Sequence, residues 1–263
     1  MCQDCGCIET AEPIIDGVKH HSHAQVHHHD HGHSESHSHG QEISIKQAIL
    51  SKNNHSASHN REHFLRSGIF CCNWISAPGS GKTSLLESLI KSGFLKRPLT
   101  VIEGDQATDN DATRIREAGA KAVQINTGSA CHLDADMIHK ALHKLEPTNE
   151  SIVMVENVGN MVCPTAFDLG ENVKIAVVST PEGADKPIKY PDLILTADCL
   201  VINKIDLMPY LNFDLERCLS DVKKLKPNLP VFPLSATTGE GLEEFANWIE
   251  KQAIETKLQK EVS

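Results

Sequence analysis

The chain has 263 residues, with 25 Lys and Arg against 35 Asp and Glu, for a formal net charge of −10. The basic residues form no dense block in the sequence, so we expect no nucleic-acid partner. No stretch approaches the roughly 18 consecutive apolar residues of a membrane helix, and residues 1–4 lack the basic then apolar pattern of a secretion signal. The sequence therefore predicts a cytoplasmic protein without a membrane anchor.

Three of the nine cysteines, Cys2, Cys5 and Cys7, fall within the first seven residues. In a reducing cytosol, clustered cysteines are better interpreted as metal ligands than as disulfides. A free α-amino group could supply a fourth donor. Planar sulfur and nitrogen ligation would suit nickel or copper, whereas tetrahedral ligation would suit zinc. The alternative is a flexible terminus with incidental cysteines.

A histidine-rich tract follows: ten of the sixteen histidines lie between residues 20 and 39, and three more precede residue 64. Imidazoles in a flexible chain bind several divalent ions without fixed geometry, which suits storage or buffering. Residues 8–63 offer no continuous apolar face, so we expect them to be largely disordered, with at most a short helix over 43–50. We therefore divide the chain into a metal-binding extension, 1–65, and a folded domain, 66–263.

From residue 69 onward, short apolar runs alternate with amphipathic stretches. Strands that are apolar on both faces and separated by helices indicate a mostly parallel sheet covered on both sides, a three-layer α/β domain. Helices are predicted to begin near Gly81, Asn110, Cys131, Phe213 and Leu242. The predicted strands are 69–75, 99–103, 122–125, 152–156, 173–178, 199–203 and 231–234.

A phosphate-binding loop spans residues 76–83, Ser-Ala-Pro-Gly-Ser-Gly-Lys-Thr, between the first strand and a helix. In this context, backbone N–H groups hold phosphates, Lys82 reaches the β and γ groups and Thr83 binds magnesium. Ser76 stands where the usual pattern has glycine. An ordinary glycine-rich turn is the alternative. The predicted phosphate contacts are Gly79, Ser80, Gly81, Lys82, Thr83 and Ser84.

Acidic residues follow two further strands. Glu103-Gly104-Asp105 ends one strand, and we favour Asp105 as a magnesium ligand or a group orienting water, with Asp111 as the second candidate. Glu156-Asn157-Val158-Gly159 ends another, where Glu156 would join the magnesium shell and the Gly159 amide would sense the γ-phosphate. Solvated loop charge is the alternative for Asp105 and Asp111. No residue is a clear general base, so we expect slow hydrolysis.

A second candidate metal group lies inside the domain: Cys131, His132 and Cys163. A helix beginning at Cys131 would favour its thiolate form. Cys163 follows Gly159 by four residues and would therefore respond to the nucleotide. Three ligands leave a position for water or a second protomer. Buried cysteine without metal is the alternative.

Base recognition is predicted at Asn203-Lys204-Ile205-Asp206 and Ser235-Ala236, both placed after strands. Asp206 would accept hydrogen bonds from N1 and N2 of guanine, which adenine cannot offer, and Lys204 would pack along the base. The substrate predicted for this P-loop domain is therefore GTP.

The remaining cysteines and histidines of the domain are predicted to be structural. His139 and His143 lie four apart on a helix and could ligate a metal, but solvent exposure is the favoured interpretation. Cys71, Cys72 and Cys199 lie on strands and are predicted to belong to the core.

Together these motifs resemble the HypB family, GTPases that help deliver nickel to precursors of [NiFe] hydrogenase. The motifs are the terminal cysteines, the histidine tract, residues 76–83, 103–105, 131–135, 156–160, 163–164 and 203–206. The resemblance covers nearly the whole chain.

The resemblance implies nickel as cargo, GTP-dependent homodimerisation, and two partners, the small zinc-binding nickel chaperone HypA and the hydrogenase large subunit precursor. It also implies that Cys131, His132 and Cys163 bind nickel or zinc, and that the terminal cysteines are the tighter nickel site. The alternatives are a urease accessory GTPase and a protein that mainly stores nickel.

Overall fold

The computed structural model describes residues 14–16, 18–19, 38–106 and 110–262. Within these residues, nine strands form one sheet in the order β2-β1-β5-β4-β6-β3-β7-β8-β9. The strands are β1 (Ile14–Ile15), β2 (Val18–Lys19), β3 (Phe70–Ser76), β4 (Leu99–Asp105), β5 (Lys121–Asn126), β6 (Ile152–Glu156), β7 (Val173–Ser179), β8 (Cys199–Asn203) and β9 (Val231–Pro233).

The strands from β3 to β9 pair in parallel. Each of them begins and ends within two residues of its predicted bounds, which confirms the mostly parallel α/β fold. Because parallel strands end at the same edge, the residues that follow β3, β4, β6 and β8 come together there. The predicted site residues are concentrated in these segments.

Helices cover both faces of the sheet. They are α1 (Ser38–Ser67), α2 (Lys82–Ser92), α3 (Asn110–Ala118), α4 (Ala135–Leu145), α5 (Cys163–Ala166), α6 (Lys186–Lys189), α7 (Pro191–Thr196), α8 (Leu215–Leu225) and α9 (Leu242–Val262). One face packs against α2, α3 and α9. The other packs against α1 and α4 beside β4 and β6, and against α7 and α8 beside β7 and β8. The predicted three-layer arrangement is confirmed.

The aromatic centre of the first face is Trp74, on β3. Its side chain is fully buried and meets the Phe245 ring edge to face, with centroids 5.6 Å apart. Trp74 lies in register with Glu156 on the neighbouring strand β6. This aromatic core therefore begins directly beneath the edge where the candidate site lies.

Helix α1 corrects the prediction for the extension. The predicted helix over 43–50 is part of a 30-residue helix. The disorder predicted up to about residue 63 was therefore wrong for residues 47–63, which belong to this helix. Asn53, Ala57, Asn60 and Phe64 form its buried stripe. The two asparagines replace apolar contacts with hydrogen bonds: Asn53 Nδ2 donates to Asp168 O, and Asn60 Nδ2 donates to the backbone of α4 and of Leu169. Such a stripe is not apolar, so it gives no hydrophobic periodicity.

The strand β1 is a second departure from the predicted extension. Ile14 and Ile15 pair antiparallel with Asn126 and Ile125 at the edge of the sheet, and Ile15 is buried. Asp16 then forms ion pairs with Arg116 and Lys144. A two-residue strand is too short for a sequence pattern to reveal.

Helix starts were predicted with one clear error. Helices α2, α3 and α9 begin at or next to the predicted residue, and α8 begins two residues late. Helix α4 begins at Ala135 and not at Cys131, because Asp134 is its N-cap and accepts a hydrogen bond from Met137 N. Among the described residues, none of the helices is both long and apolar enough to cross a bilayer.

Candidate functional site

The loop between β3 and α2 has the backbone needed to surround a phosphate. Gly79 and Gly81 adopt φ of 76° and 91°, a region that favours glycine. A Cβ at position 81 would also lie 2.7 Å from Asn203 Nδ2. The loop is thereby held close to the end of β8, and the N-terminus of α2 points into it, as anion binding requires.

Lys82 is engaged inside the loop. Its Nζ donates to Ser76 Oγ at 2.7 Å, and Ser80 Oγ donates to the same oxygen at 2.6 Å. The Ser76 hydroxyl donates in turn to Ala77 O. Ser76, which stands in place of the usual glycine, is therefore buried, and its hydroxyl makes three hydrogen bonds within the loop.

Two buried acids face the start of α2. Thr83 Oγ1 donates to Glu156 Oε1 at 3.0 Å, and Lys82 Nζ lies 3.9 Å from the same oxygen. Glu103 lies in register with Glu156 on the adjacent strand β4 and is only 2% exposed. Sequence reasoning quoted Glu103 but gave it no role. An acid inside an apolar strand was the signal that could have identified it.

The electrostatics of this acid pair suit a cation. Burial raises the pKa of Glu103 well above its ordinary value, and the neighbouring Glu156 carboxylate raises it further. Burial also raises the pKa of Glu156, although the Lys82 ammonium opposes this. Among described atoms, Glu103 Oε1 and Glu156 Oε2 are buried without a hydrogen-bond partner. With Thr83, they form a set of hard oxygen donors that fits magnesium.

The two acids favoured from sequence lie farther out. Asp105 is partly exposed, and its Oδ1 accepts a hydrogen bond from Gln106 N. Asp111, in the first turn of α3, pairs with Arg114, which also contacts Glu87 and the hydroxyl of the exposed Ser84. Asp111 still acts on the inner acids, because its charge raises the pKa of Glu103.

The segments predicted to read the base come together around Asn203. Its Nδ2 donates to Ser80 O, and its Oδ1 accepts from Lys204 N and Ala236 N. Asn203 therefore joins the phosphate loop to the second base-contacting segment.

Lys204 and Asp206 complete this group. Lys204 has a φ of 64°, and its Nζ donates to Gly79 O at 2.6 Å, so the side chain lies over the phosphate loop. Thr180, which had no predicted role, donates to Lys204 O. Ser235 donates to Asp206 Oδ1, which orients the carboxylate.

The second predicted group also comes together. The ligand atoms of Cys131, His132 and Cys163 lie within 4.8 Å of one another, and all three residues are partly buried. The His132 ring stacks on Phe167 with centroids 3.8 Å apart. Burial lowers the pKa of His132 to about 4, so the neutral imidazole, with a lone pair for a metal, is the form present at neutral pH. Two thiols and one imidazole suit zinc or nickel.

Cys131 lies ahead of α4 and not at its N-terminus, so the predicted support for its thiolate by that helix was wrong. Cys163 is instead the first residue of the four-residue helix α5. The neighbouring Phe167 was missed, because a single aromatic residue after a short helix carries no sequence signal.

Asn157 connects the two groups. Its Oδ1 accepts from Leu133 N at 3.1 Å, next to His132, and its own backbone follows Glu156 directly. A Cβ at Gly159 would lie 3.0–3.1 Å from Pro78, so the segment after β6 touches the phosphate loop. The segment 156–163 therefore begins at the inner acids, contacts the phosphate loop and ends at Cys163.

Other predicted positions have simple outcomes. Cys71, Cys72 and Cys199 are core residues as predicted, and burial raises the pKa of each thiol. His139 and His143 are exposed, as predicted. Cys2, Cys5, Cys7 and the histidines up to residue 37 lie outside the described residues.

The chain is similar in sequence and in fold to known proteins. Residues 74–233 match the nucleotide-binding domain of the CobW/HypB/UreG family. The HypB hydrogenase maturation factor of Rhizobium leguminosarum bv. viciae is 49% identical over 84% of this chain and 74% of its own length. That of Escherichia coli (strain K12) is 46% identical over 80% of this chain and 72% of its own length.

Two solved structures are also similar. HypB from Helicobacter pylori, in complex with nickel, gives a TM-score of 0.75 at 39% identity and covers 78% of this chain and 97% of that one. HypB from Archaeoglobus fulgidus gives 0.72 at 37% identity, covering 78% and 100%. Fold and site thus define a P-loop nucleotide-binding protein of the CobW/HypB/UreG type. Within that class, the chain belongs to the HypB family of hydrogenase maturation factors.

Proposed function

We propose that this protein is a cytoplasmic, GTP-hydrolysing metallochaperone that delivers nickel to [NiFe] hydrogenase during its maturation. The observation that carries the proposal is the segment 156–163, which runs from the acids beside Lys82 and Thr83 to the thiol of Cys163. Relatives named hydrogenase maturation factors and a related structure with bound nickel support the choice of cargo.

GTP binding begins with the phosphate loop. The N–H groups of the loop and of the first turn of α2 hold the phosphates, and Lys82 moves from Ser76 to the β and γ groups. Thr83, Glu156 and Glu103 provide the oxygen ligands that would hold magnesium, directly or through water, with Asp105 and Asp111 in the surrounding shell. When bound, magnesium neutralises charge on the phosphates.

Guanine selectivity is assigned to Asp206. Its carboxylate, oriented by Ser235, accepts hydrogen bonds from N1 and N2 of guanine. Lys204 covers the base with its aliphatic stem, and Asn203 Oδ1 holds the neighbouring segment in place by accepting from the Ala236 backbone N–H. Hydrolysis is slow, because Glu156 is already bonded to Thr83 and, among the described residues, no other acid is placed as a dedicated base.

Nucleotide state controls the metal group through the segment 156–163. The Gly159 amide moves with the γ-phosphate. Asn157 transmits this displacement to Leu133, beside His132, through the hydrogen bond that it accepts from Leu133 N. Three protein ligands leave a coordination position open, which a second protomer fills when GTP stabilises the dimer. The same group accepts zinc when nickel is scarce.

The remaining steps of nickel delivery are proposed from the chain's membership of the HypB family. Cys2, Cys5 and Cys7 form the tighter nickel site, and the histidine tract is a less selective store. HypA and the hydrogenase large subunit precursor are the partners between which nickel passes.

The test is nickel affinity measured in the full chain with GDP and with a non-hydrolysable GTP analogue. Cys2→Ala, Cys5→Ala and Cys7→Ala remove the terminal thiols, so the inner group dominates tight binding. Truncation at residue 65 is unsuitable, because it deletes the buried Phe64 of α1. We expect the two affinities to differ by about five-fold or more. Equal affinities would refute the coupling.

A matched control adds Cys163→Ser to the same background. This change should abolish the nucleotide-dependent affinity and leave GTP binding intact. Cys218→Ala, which removes a buried thiol of α8, should leave both unchanged.

A further inference from the structure

Five histidines lie together on the exposed surface where α1 meets α4. His55, His59 and His63 follow one another at intervals of four on α1, and His139 and His143 are four apart on α4. All five are exposed. They are separate from the histidine tract, because the fold and not the sequence brings them together.

Two of these three four-residue intervals give a close pair of ring nitrogens. His55 Nε2 and His59 Nε2 are 3.3 Å apart, and His139 Nε2 and His143 Nε2 are 3.2 Å apart. Two imidazoles on one ion, with metal–nitrogen distances of about 2.0–2.1 Å, have nitrogens about 2.9 Å apart at a right angle and about 3.4 Å apart at a tetrahedral angle. Both pairs fall between these values.

The helices are fixed against each other close to the pairs. Asn53 Oδ1 accepts from Ala135 N, and Asn60 Nδ2 donates to Ala135 O, so both bonds join α1 to the first residue of α4. The two pairs also lie within electrostatic reach of each other, because the charge of His59 lowers the pKa of His139, as the charges of His143 and His63 do, whereas Asp136 raises it. The charges of Arg66 and His143 lower the pKa of His63. For both groups partial burial is the first cause of the lowering.

Within the described part of the chain, the acids near these nitrogens are paired with basic side chains. Asp136 forms an ion pair with Lys140 at 2.8 Å, and Glu62 forms one with Arg66. The donors that these pairs offer to an ion are therefore imidazole nitrogens. Such nitrogens suit nickel, copper and zinc, whereas magnesium and calcium require oxygen ligands.

We propose that the α1–α4 histidines form a surface site for divalent transition-metal ions, in which each pair, His55–His59 and His139–His143, chelates one ion through its two Nε2 atoms. The remaining coordination positions are open to water or to further imidazoles. The site differs from the inner group by having nitrogen donors only and by its exposure, so it binds more weakly and exchanges faster.

The test uses the full chain and maps the carbethoxylation of individual histidines by mass spectrometry, with zinc or nickel as the probe metal. At a metal concentration about ten times the dissociation constant, His139 and His143 should react about ten-fold more slowly. Magnesium at the same concentration should give no protection. Equal reaction rates with and without zinc or nickel would overturn the proposal.

Single substitutions then separate chelation from general shielding. His139→Gln should restore the reaction of His143 in the presence of metal, and His55→Gln should restore that of His59. His37→Gln, which removes an imidazole from the tract, should leave protection of both pairs unchanged. Continued protection of His143 in the His139→Gln variant would show that the pair does not chelate. Because His139 and His55 are exposed, circular dichroism should show unchanged folding.

Discussion

The ammonium group of Lys82 is bonded to Ser76 Oγ at 2.7 Å, within the loop that it must leave to reach a phosphate. Nucleotide binding therefore replaces the hydrogen bond from Lys82 to Ser76 with bonds from Lys82 to the phosphates. A glycine at position 76 could not make this bond, so the departure from the usual motif has a structural consequence.

Ser76→Ala should destabilise the protein without nucleotide and tighten GTP binding. The buried ammonium loses a hydrogen bond worth about 1–3 kcal/mol, which lowers the melting temperature by about 2–4 °C per kcal/mol. GTP affinity should rise up to about ten-fold, because Lys82 no longer has to leave a partner. Titration calorimetry and thermal melts measure both effects. Ser92→Ala, at the end of the helix α2 that Lys82 begins, should not alter affinity. Weaker GTP binding by a folded Ser76→Ala variant would contradict the prediction.

Asp206→Asn should change the base preference of the nucleotide site from guanine to xanthine. The asparagine amide can donate to the carbonyl that xanthine carries in place of the guanine amino group, while Ser235 can still donate to the side-chain oxygen. We expect GTP affinity to fall about 100-fold and affinity for xanthosine triphosphate to exceed it. Competitive binding of the two nucleotides measures the exchange. An unchanged preference for GTP would place base recognition elsewhere.

Glu103→Gln should flatten the pH dependence of stability in the nucleotide-free protein. Below the ordinary pKa of 4.5, both the folded and the unfolded chain hold the proton. As the pH rises, the unfolded chain releases it first, so stability falls until the raised folded-state pKa is passed. Wild type should therefore lose more stability than the variant between about pH 5 and pH 8.

Thermal melts across this pH range provide the measurement. Glu240→Gln, an exposed acid past β9, is the control and should follow wild type. The Glu103→Gln variant should also need more magnesium to bind GTP, because one oxygen ligand has lost its charge. A wild-type pH profile retained in Glu103→Gln would show that Glu103 does not carry the effect.

Asn157→Ala should uncouple nucleotide from metal. Removing the Asn157 amide leaves Leu133 N and Asn73 Oδ1 without their hydrogen-bond partner. This should lower the free energy of unfolding by about 1–3 kcal/mol. The ratio of nickel affinities with the GTP analogue and with GDP should approach one. Asn172→Ala also removes a bond to a backbone N–H, that of Cys71, but lies away from the metal group. That control should lose stability and retain the ratio.

The sheet was predictable because its strands are buried on both faces, so each appears as a continuous apolar run. The same principle explains the failure at α1, whose buried stripe includes Asn53 and Asn60 and depends on hydrogen bonds to α4 and the loop before β7. A buried amide resembles a surface amide in the sequence. Only the partner across the interface distinguishes them.

The candidate site, like the fold, could be predicted from the sequence only in part. Cys131, His132 and Cys163 were grouped from their positions after strands, and the fold brings them within 4.8 Å. No role was predicted for the buried Glu103, because the sequence cannot show which acid of a strand end faces the loop. Glu103 pairs with Glu156 across two strands that lie about 50 residues apart in the chain.

The position of Trp74 gives the protein an internal optical reporter. Its indole is sealed in the core, while Asn157 N donates to its backbone carbonyl and Ser76 follows two residues later. The chain has one other tryptophan, Trp248, on α9. With Trp248→Phe, the remaining emission comes from beneath the phosphate loop, so nucleotide arrival and departure can be timed by stopped-flow fluorescence without attaching a dye.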